Sequence, residues 1–288
     1  MKWKGRRGSS NVEDRRGRRS TSRSGLGGGS IMGMGGGLGI IIVIIFALMG
    51  GDLGSILDPS STNNTANIPY EQTQEENDLA EFVSVVLADT EDVWTEIFRE
   101  NNQTYIKPKL VLFTDRVDSA CGVAGASTGP FYCPADQKIY IDLSFYKELS
   151  QRYQAPGDFA MAYVIAHEVG HHVQNLLGIS EQVQSQRGRV SEKEYNELSV
   201  RLELQADYLA GVFSNRIKDR ELLDEGDLEE AITAANAIGD DRLQKQAQGY
   251  VVPDSFTHGT SEQRMRWFKR GFQYGDLSQG DTFNTNDL

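Results

Sequence analysis

Histidine and cysteine are scarce: the 288 residues hold four histidines and two cysteines. The two thiols, Cys121 and Cys133, are too few to complete a structural zinc site by themselves. Outside the cytoplasm, a pair so close in sequence favours a disulfide. Positive charge is also in deficit, with 29 Lys and Arg against 41 Asp and Glu and a net charge of −12. The deficit is uneven. Met1–Ser24 holds nine Lys or Arg and two acidic residues, a balance of +7, so the rest of the chain carries −19. A basic head on an acidic body does not suit a nucleic-acid binder, and no nucleic-acid partner is expected. Contact of the head with RNA or anionic lipid is the rival use of its charge. No internal repeat is found.

Charge is absent altogether from Ser24–Gly51. That stretch starts Gly-rich and becomes apolar from Ile40 to Met49. Its Ile31–Gly50 part has the length needed to cross a bilayer. The rival is a cleavable signal peptide, but no A-x-A cleavage pattern follows it. The expectation is a signal anchor, with the N-terminus cytoplasmic and the body extracytoplasmic. The expected organisation is a basic cytoplasmic head (1–24), a Gly-rich transmembrane helix (25–51), a flexible tether (52–74), one folded domain (75–275) and a polar, loosely ordered tail (276–288).

Within the domain, apolar residues at helical spacing predict one or two helices over Glu75–Glu100. Lys109–Thr114 and Lys138–Leu143 read as strands. Such a strand ahead of a metal helix could take an extended peptide along its edge. Ser191 and Glu194 form a capping box that opens a long helix reaching Ile217. Further helices are expected over Leu228–Ile238 and Ser261–Gly271. The fold class is α+β, mainly α, with a small sheet.

The centre of the chain is Phe159–Gly178, FAMAYVIAHEVGHHVQNLLG. Its helical period puts His167 and His171 on one face, a turn apart, which suits two corners of a tetrahedral zinc site. Glu168 is rotated about 100° from His167. It borders that site, where a general base for an activated water is needed. A third histidine at the short metzincin spacing is excluded, because Gln174 and Leu177 stand where that pattern needs Gly and His. The remaining candidates for a third ligand are His172, Glu203, Asp207 and His258. His172 points off the metal face and reads as a partly exposed polar contact. Glu203 and Asp207 share one buried helix face with Val200, Leu204, Tyr208 and Gly211, and two buried carboxylates there need a cation and a donor. Glu203 is assigned as the third ligand, and Asp207 as the group that holds the free imidazole nitrogen of His167. Ordinary pairing of these carboxylates with Arg201 or Lys218 is the bland alternative.

HEVGH with the downstream Glu203–Asp207 pair resembles the gluzincin metallopeptidases. More narrowly, the chain resembles the YpfJ-like bacterial "putative neutral zinc metallopeptidase" family. The blocks that carry this are NVEDRRG (Asn11–Gly17), the Gly-rich segment, ACG and GPFYCP (Ala120–Pro134), YVIAHEVGHHVQ (Tyr163–Gln174), ELQADYLAG (Glu203–Gly211) and SFTHGTSEQRMRWF (Ser255–Phe268). The resemblance implies a zincin-like fold, a Zn2+ cofactor, and peptide or protein substrates. His258 with Arg264 resembles the histidine-proline…arginine element of some membrane-linked gluzincins, with Gly259 in place of proline. His258 is the expected oxyanion donor, and Arg264 its rival. The function expected is membrane-anchored zinc peptidase, with a non-catalytic zinc-stabilised scaffold as the alternative. The physiological substrate and the oligomeric state are not legible in the sequence.

Overall fold

The computed structural model describes residues 1–18 and 72–288. The sheet elements are β1 (Val12–Asp14), β2 (Lys109–Phe113), β3 (Arg116–Ser119), β4 (Gly122–Gly125), β5 (Phe131–Cys133) and β6 (Lys138–Asp142). The helices are α1 (Gln74–Glu100), α2 (Phe145–Gln151), α3 (Asp158–Leu176), α4 (Ile179–Gln184), α5 (Glu192–Asp219), α6 (Asp227–Ala237), α7 (Asp240–Gln248) and α8 (Ser261–Tyr274). The architecture is mainly helical α+β.

β2 and β6 carry the branched apolar residues that suit a buried strand, and they pair in parallel with Leu110 opposite Ile139. The sheet order is β1-β2-β6-β5, and β5 runs antiparallel to β6 at one margin. β3 and β4 form a separate hairpin. The Cys121–Cys133 disulfide, with Cα atoms 5.8 Å apart, ties that hairpin to β5. These short strands lie between Lys109–Thr114 and Lys138–Leu143, where sequence periodicity predicts no element.

The helices begin where their caps require. Thr73 and Glu76 form a reciprocal capping box on α1, Ser191 and Glu194 on α5, and Thr260 and Gln263 on α8. Each such cap contributes about 1 kcal/mol. Glu75–Glu100 is thus one helix rather than two. α3 is buried on most sides and lies against α5. An added Cβ at Gly170 would stand 3.1 Å from the Ala206 carbonyl oxygen, so glycine is what lets these two helices approach. α5 meets α8 more closely still, and a Cβ on Gly271 would collide with the Tyr208 carbonyl.

The N-terminal residues depart from expectation. β1 pairs in parallel with β2, Val12 opposite Leu110, and so completes the sheet of the body. Arg6 makes a two-pronged pair with Asp89 at 2.7 and 2.6 Å, and Arg7 pairs with Asp92, both on α1. Ser9 and Asn11 both donate to Glu91. The Met1 ammonium meets Asp158 at 2.7 Å and Asp227 at 3.2 Å. The head is therefore not a separate arm. Its positive charges complement an acidic helix of the same domain. The expected transmembrane helix (25–51) lies outside the described residues. Among the described residues, no helix is long and apolar enough to cross a membrane.

The tail also differs from the loose segment expected. Tyr208 donates to the Asp276 carbonyl at 2.8 Å, Gln205 to Gly280 at 2.9 Å and Thr282 to Arg201 at 2.6 Å. Leu277 and Leu288 pack on the core. The tail is a strap along α5, held through backbone carbonyls that side-chain polarity does not reveal.

Candidate metal centre

Polar side chains on a buried helix need partners, and those of α3 find them mainly on α5. His167 Nδ1 lies 2.9 Å from Asp207 Oδ1, and its Nε2 lies 3.2 Å from Glu203 Oε2. His171 Nε2 lies 3.4 Å from the other oxygen of Glu203, while its Nδ1 meets Gln174 Oε1 at 2.9 Å. Gln174 is locked in turn, since its amide donates to the Leu202 carbonyl at 2.7 Å. Asp207 and Gln174 thus each accept from an Nδ1–H and leave Nε2 of both rings facing Glu203. The three potential ligand atoms lie within 4.8 Å of one another. Ligands of a tetrahedral zinc ion stand about 3.3 Å apart, a consequence of metal–ligand bonds near 2.0–2.1 Å. The 3.2 and 3.4 Å separations fit that geometry. The mixed imidazole and carboxylate donors also suit zinc.

The buried charges at this point hold one another. Burial would lower the pKa of His167, yet Asp207 and Glu203 raise it to about 9. Burial would raise Glu203, but the positive charges of His171 and His258 and the histidine hydrogen bonds hold it well below its usual range. Glu168 is different. Burial dominates and raises its carboxyl above the ordinary value, a shift toward the range useful for proton transfer. Glu168 lines the same cleft as His167, His171, Glu203 and His258.

Asp207 is the most heavily used acceptor. Tyr163 donates to Oδ1 at 2.5 Å, and the Arg264 guanidinium binds it with Nε to Oδ2 at 2.9 Å and Nη2 to Oδ1 at 3.0 Å. Arg264 makes a further bond to the Ile238 carbonyl. Its guanidinium anchors Asp207 and also lines the cleft. Arg201 and Lys218 do not pair with Glu203 or Asp207: Arg201 holds the tail, and Lys218 lies over the Phe272 ring.

His258 enters the cleft from the segment before α8. Asp240, the first residue of α7, accepts from the backbone N–H groups of Thr257 and His258 at 2.7 Å each, and its other oxygen is 3.2 Å from His258 Nδ1. Gly259 has φ of +86°, which proline cannot adopt. That explains its departure from the His-Pro pattern. His172, expected as a partly exposed contact, is fully buried. Sequence reasoning missed Gln174, Asp240 and Tyr163. Tyr163 and Gln174 share the metal helix at i−4 and i+3 from His167 and His171, a positional signal that was present; Asp240 had none.

A mainly helical α+β domain that brings an HExxH helix against a carboxylate helix defines a zinc-metallopeptidase-like protein. The model of the family described as "Putative neutral zinc metallopeptidase" matches residues 1–283, and the chain belongs to this family. Zinc is accordingly the cofactor this centre is built for. The "Uncharacterized protein YpfJ" of Escherichia coli (strain K12) is 49% identical over 289 residues, covering 98% of this chain and 99% of its own. The "Uncharacterized protein Rv2575" of Mycobacterium tuberculosis (strain ATCC 25618 / H37Rv) is 40% identical over 195 residues, 64% of this chain and 65% of its own. No solved structure matches the chain.

Proposed function

We propose that the protein is a zinc-dependent peptidase that hydrolyses peptide bonds in the cleft between α3, α5 and β5. The observation that carries this reading is the convergence of His167, His171 and Glu203 with Glu168 beside them. Among the described residues no fourth His, Cys, Asp or Glu closes the cluster, which leaves a position for water, as a catalytic site needs. Held by those three ligands, zinc would supply Lewis acidity that activates water and polarises the peptide carbonyl. Glu168 takes the proton of the attacking water on its carboxylate and passes it to the leaving amine. His258, oriented through Nδ1 by Asp240, offers Nε2 to the developing oxyanion. Asp207 and Gln174 keep the two ligand rings from turning. β5 has no strand paired to its outer edge among the described residues, and an extended substrate can lie along it. A scaffold that uses zinc only for stability has no need of a buried carboxylic acid beside an open position.

The Cys121–Cys133 bridge supports an oxidising compartment, in keeping with a periplasmic or extracytoplasmic body. On this reading the head lies on the same side as the body, because β1 is part of its sheet. The deciding experiment compares wild type with Glu168→Gln on a mixed peptide library. The variant is expected to keep a full complement of zinc and to lose activity by about 10²–10⁴-fold, the usual contribution of a general base. Equal turnover by the two proteins would sink the mechanism.

A further inference from the structure

His172 follows the ligand His171 directly, yet the chemistry above gives it no task. Its surroundings are unusually complete. Nε2 lies 2.6 Å from the Ile106 carbonyl oxygen, which can only accept, so Nε2 carries the proton. Nδ1 is then an acceptor, and the Tyr132 hydroxyl donates to it at 2.9 Å. The same hydroxyl oxygen accepts from the Asn175 amide at 3.1 Å. Every proton in the chain from Asn175 through Tyr132 and His172 to Ile106 therefore has one direction. The rings of Tyr105 and Tyr132 meet the imidazole edge-on, with centroids 5.7 and 5.4 Å away.

The partners at the two ends give this network its meaning. Tyr132 is the middle residue of β5. Its neighbours Phe131 and Cys133 face the opposite side, where Phe131 stacks on Tyr140 and Cys133 carries the disulfide. Ile106 belongs to the segment leading into β2. His172 thus joins three separate pieces at one point on the metal helix: the margin strand, the approach to β2, and α3 itself. Tyr132 is the network's polar link between β5 and α3, through its bonds with His172 and with Asn175 near the end of the same helix. β5 lines the cleft through Phe131 and Tyr132, opposite Glu168 and His171.

We infer that the Tyr132–His172 pair is a strut that sets the position of β5 relative to the metal ligands, and so holds an extended peptide in register with the site. This rests on the peptidase reading for its function, though the strut itself is a matter of structure. His172 and Tyr132 are positioning residues: neither needs to touch the scissile bond. The imidazole suits the role because it can donate at one end and accept at the other across a rigid ring, whereas a flexible chain would leave the strand free to shift. It also explains why the residue beside a metal ligand is buried away from the metal.

The test uses full-length zinc-loaded protein with Tyr132→Phe, His172→Gln and the double variant. Glutamine can still donate to Ile106 but removes the rigid ring that accepts from Tyr132; phenylalanine keeps the ring of Tyr132 but removes its bonds to both His172 and Asn175. Amide hydrogen exchange of Phe131–Cys133 should quicken about five-fold in His172→Gln, the effect of one net hydrogen bond, further in Tyr132→Phe, and no more in the double than in Tyr132→Phe. KM for an extended peptide should rise by a similar factor, about five-fold, with kcat and zinc per chain close to wild type. Unchanged exchange in β5, independent effects that add in the double variant, or loss of kcat and zinc together would overturn the strut. If wild type cleaves no peptide, the peptidase reading fails, while the exchange rates still decide the strut.

Discussion

Among the described residues, two groups of side chains come close enough to hold a cation, and they are built differently. His167, His171 and Glu203 form one; Asp158, Asp227 and Glu230 form the other. In the first, the Nδ1 atoms of both rings are taken by Asp207 and Gln174, which leaves the Nε2 atoms and a carboxylate aimed at a common point. In the second, the acids are already committed. Asp158 and Asp227 bind the Met1 ammonium, and Glu230 accepts the backbone N–H of Phe159 at 2.9 Å. These acids also sit in the first turns of α3 and α6, where the helix dipole favours negative charge. Closeness of acidic groups does not make a metal site. What matters is whether lone pairs remain free and convergent after the local hydrogen bonds are made.

The comparison can be broken most forcefully at Arg264. It neutralises the fully buried Asp207, and Arg264→Met leaves that charge without its partner. Removal of one member of a buried pair costs about 3–5 kcal/mol, so chemical denaturation should show a large fall in stability. A loss below about 1 kcal/mol, the scale of an exposed pair, would mean that Asp207 is not held by this pair. Next is zinc affinity. Asp207→Asn should weaken it by about 10–100-fold, the usual cost of losing a partner of a ligand histidine, as read by competition with a chromophoric chelator. The same measurement on Asp227→Asn should show no change, and a shift there would merge the two clusters into one system. A smaller effect is expected on the stability of Asp227→Asn itself, about 1.5 kcal/mol, the scale of one hydrogen bond to a charged group, because one ammonium contact is weakened.

The smallest effect concerns pH. Burial opposes the charge of the Met1 ammonium, but Asp158 and Asp227 outweigh it and raise its pKa above 8.0. A cation with a raised folded-state value stabilises fully below its unfolded value. That contribution is lost as pH rises through the folded value. Thermal melts of wild type should therefore decline above pH 8 more steeply than those of Asp227→Asn. Parallel declines would remove the ammonium from the account.

Much of the metal centre was legible because it is written at helical spacing. His167 and His171 are four apart on one helix, and Glu203 and Asp207 are four apart on another, so local geometry already placed each pair on a face. The partners from outside those helices were harder to read. Arg264 lies 57 residues beyond Asp207, and no local spacing links its guanidinium to that carboxylate. Asp240 acts on His258 through backbone N–H groups, for which side-chain patterns carry no signal. The head's place in the sheet was hidden for a related reason. A three-residue strand has too few positions to show alternation, and its arginines look the same in sequence whether they flank a membrane or face Asp89 and Asp92.

The chain by itself determined the helices, their caps, the pair of histidines one turn apart and the base beside them, because neighbours in sequence decide these through backbone periodicity. The tertiary structure alone decided which carboxylate meets both Nε2 atoms, which cation holds Asp207, and why His172 faces away from the metal toward β5. It also decided that the basic head belongs to the acidic body. Those outcomes depend on distances between segments far apart in sequence, and only the packing of α3 against α5 and of β1 against β2 sets them.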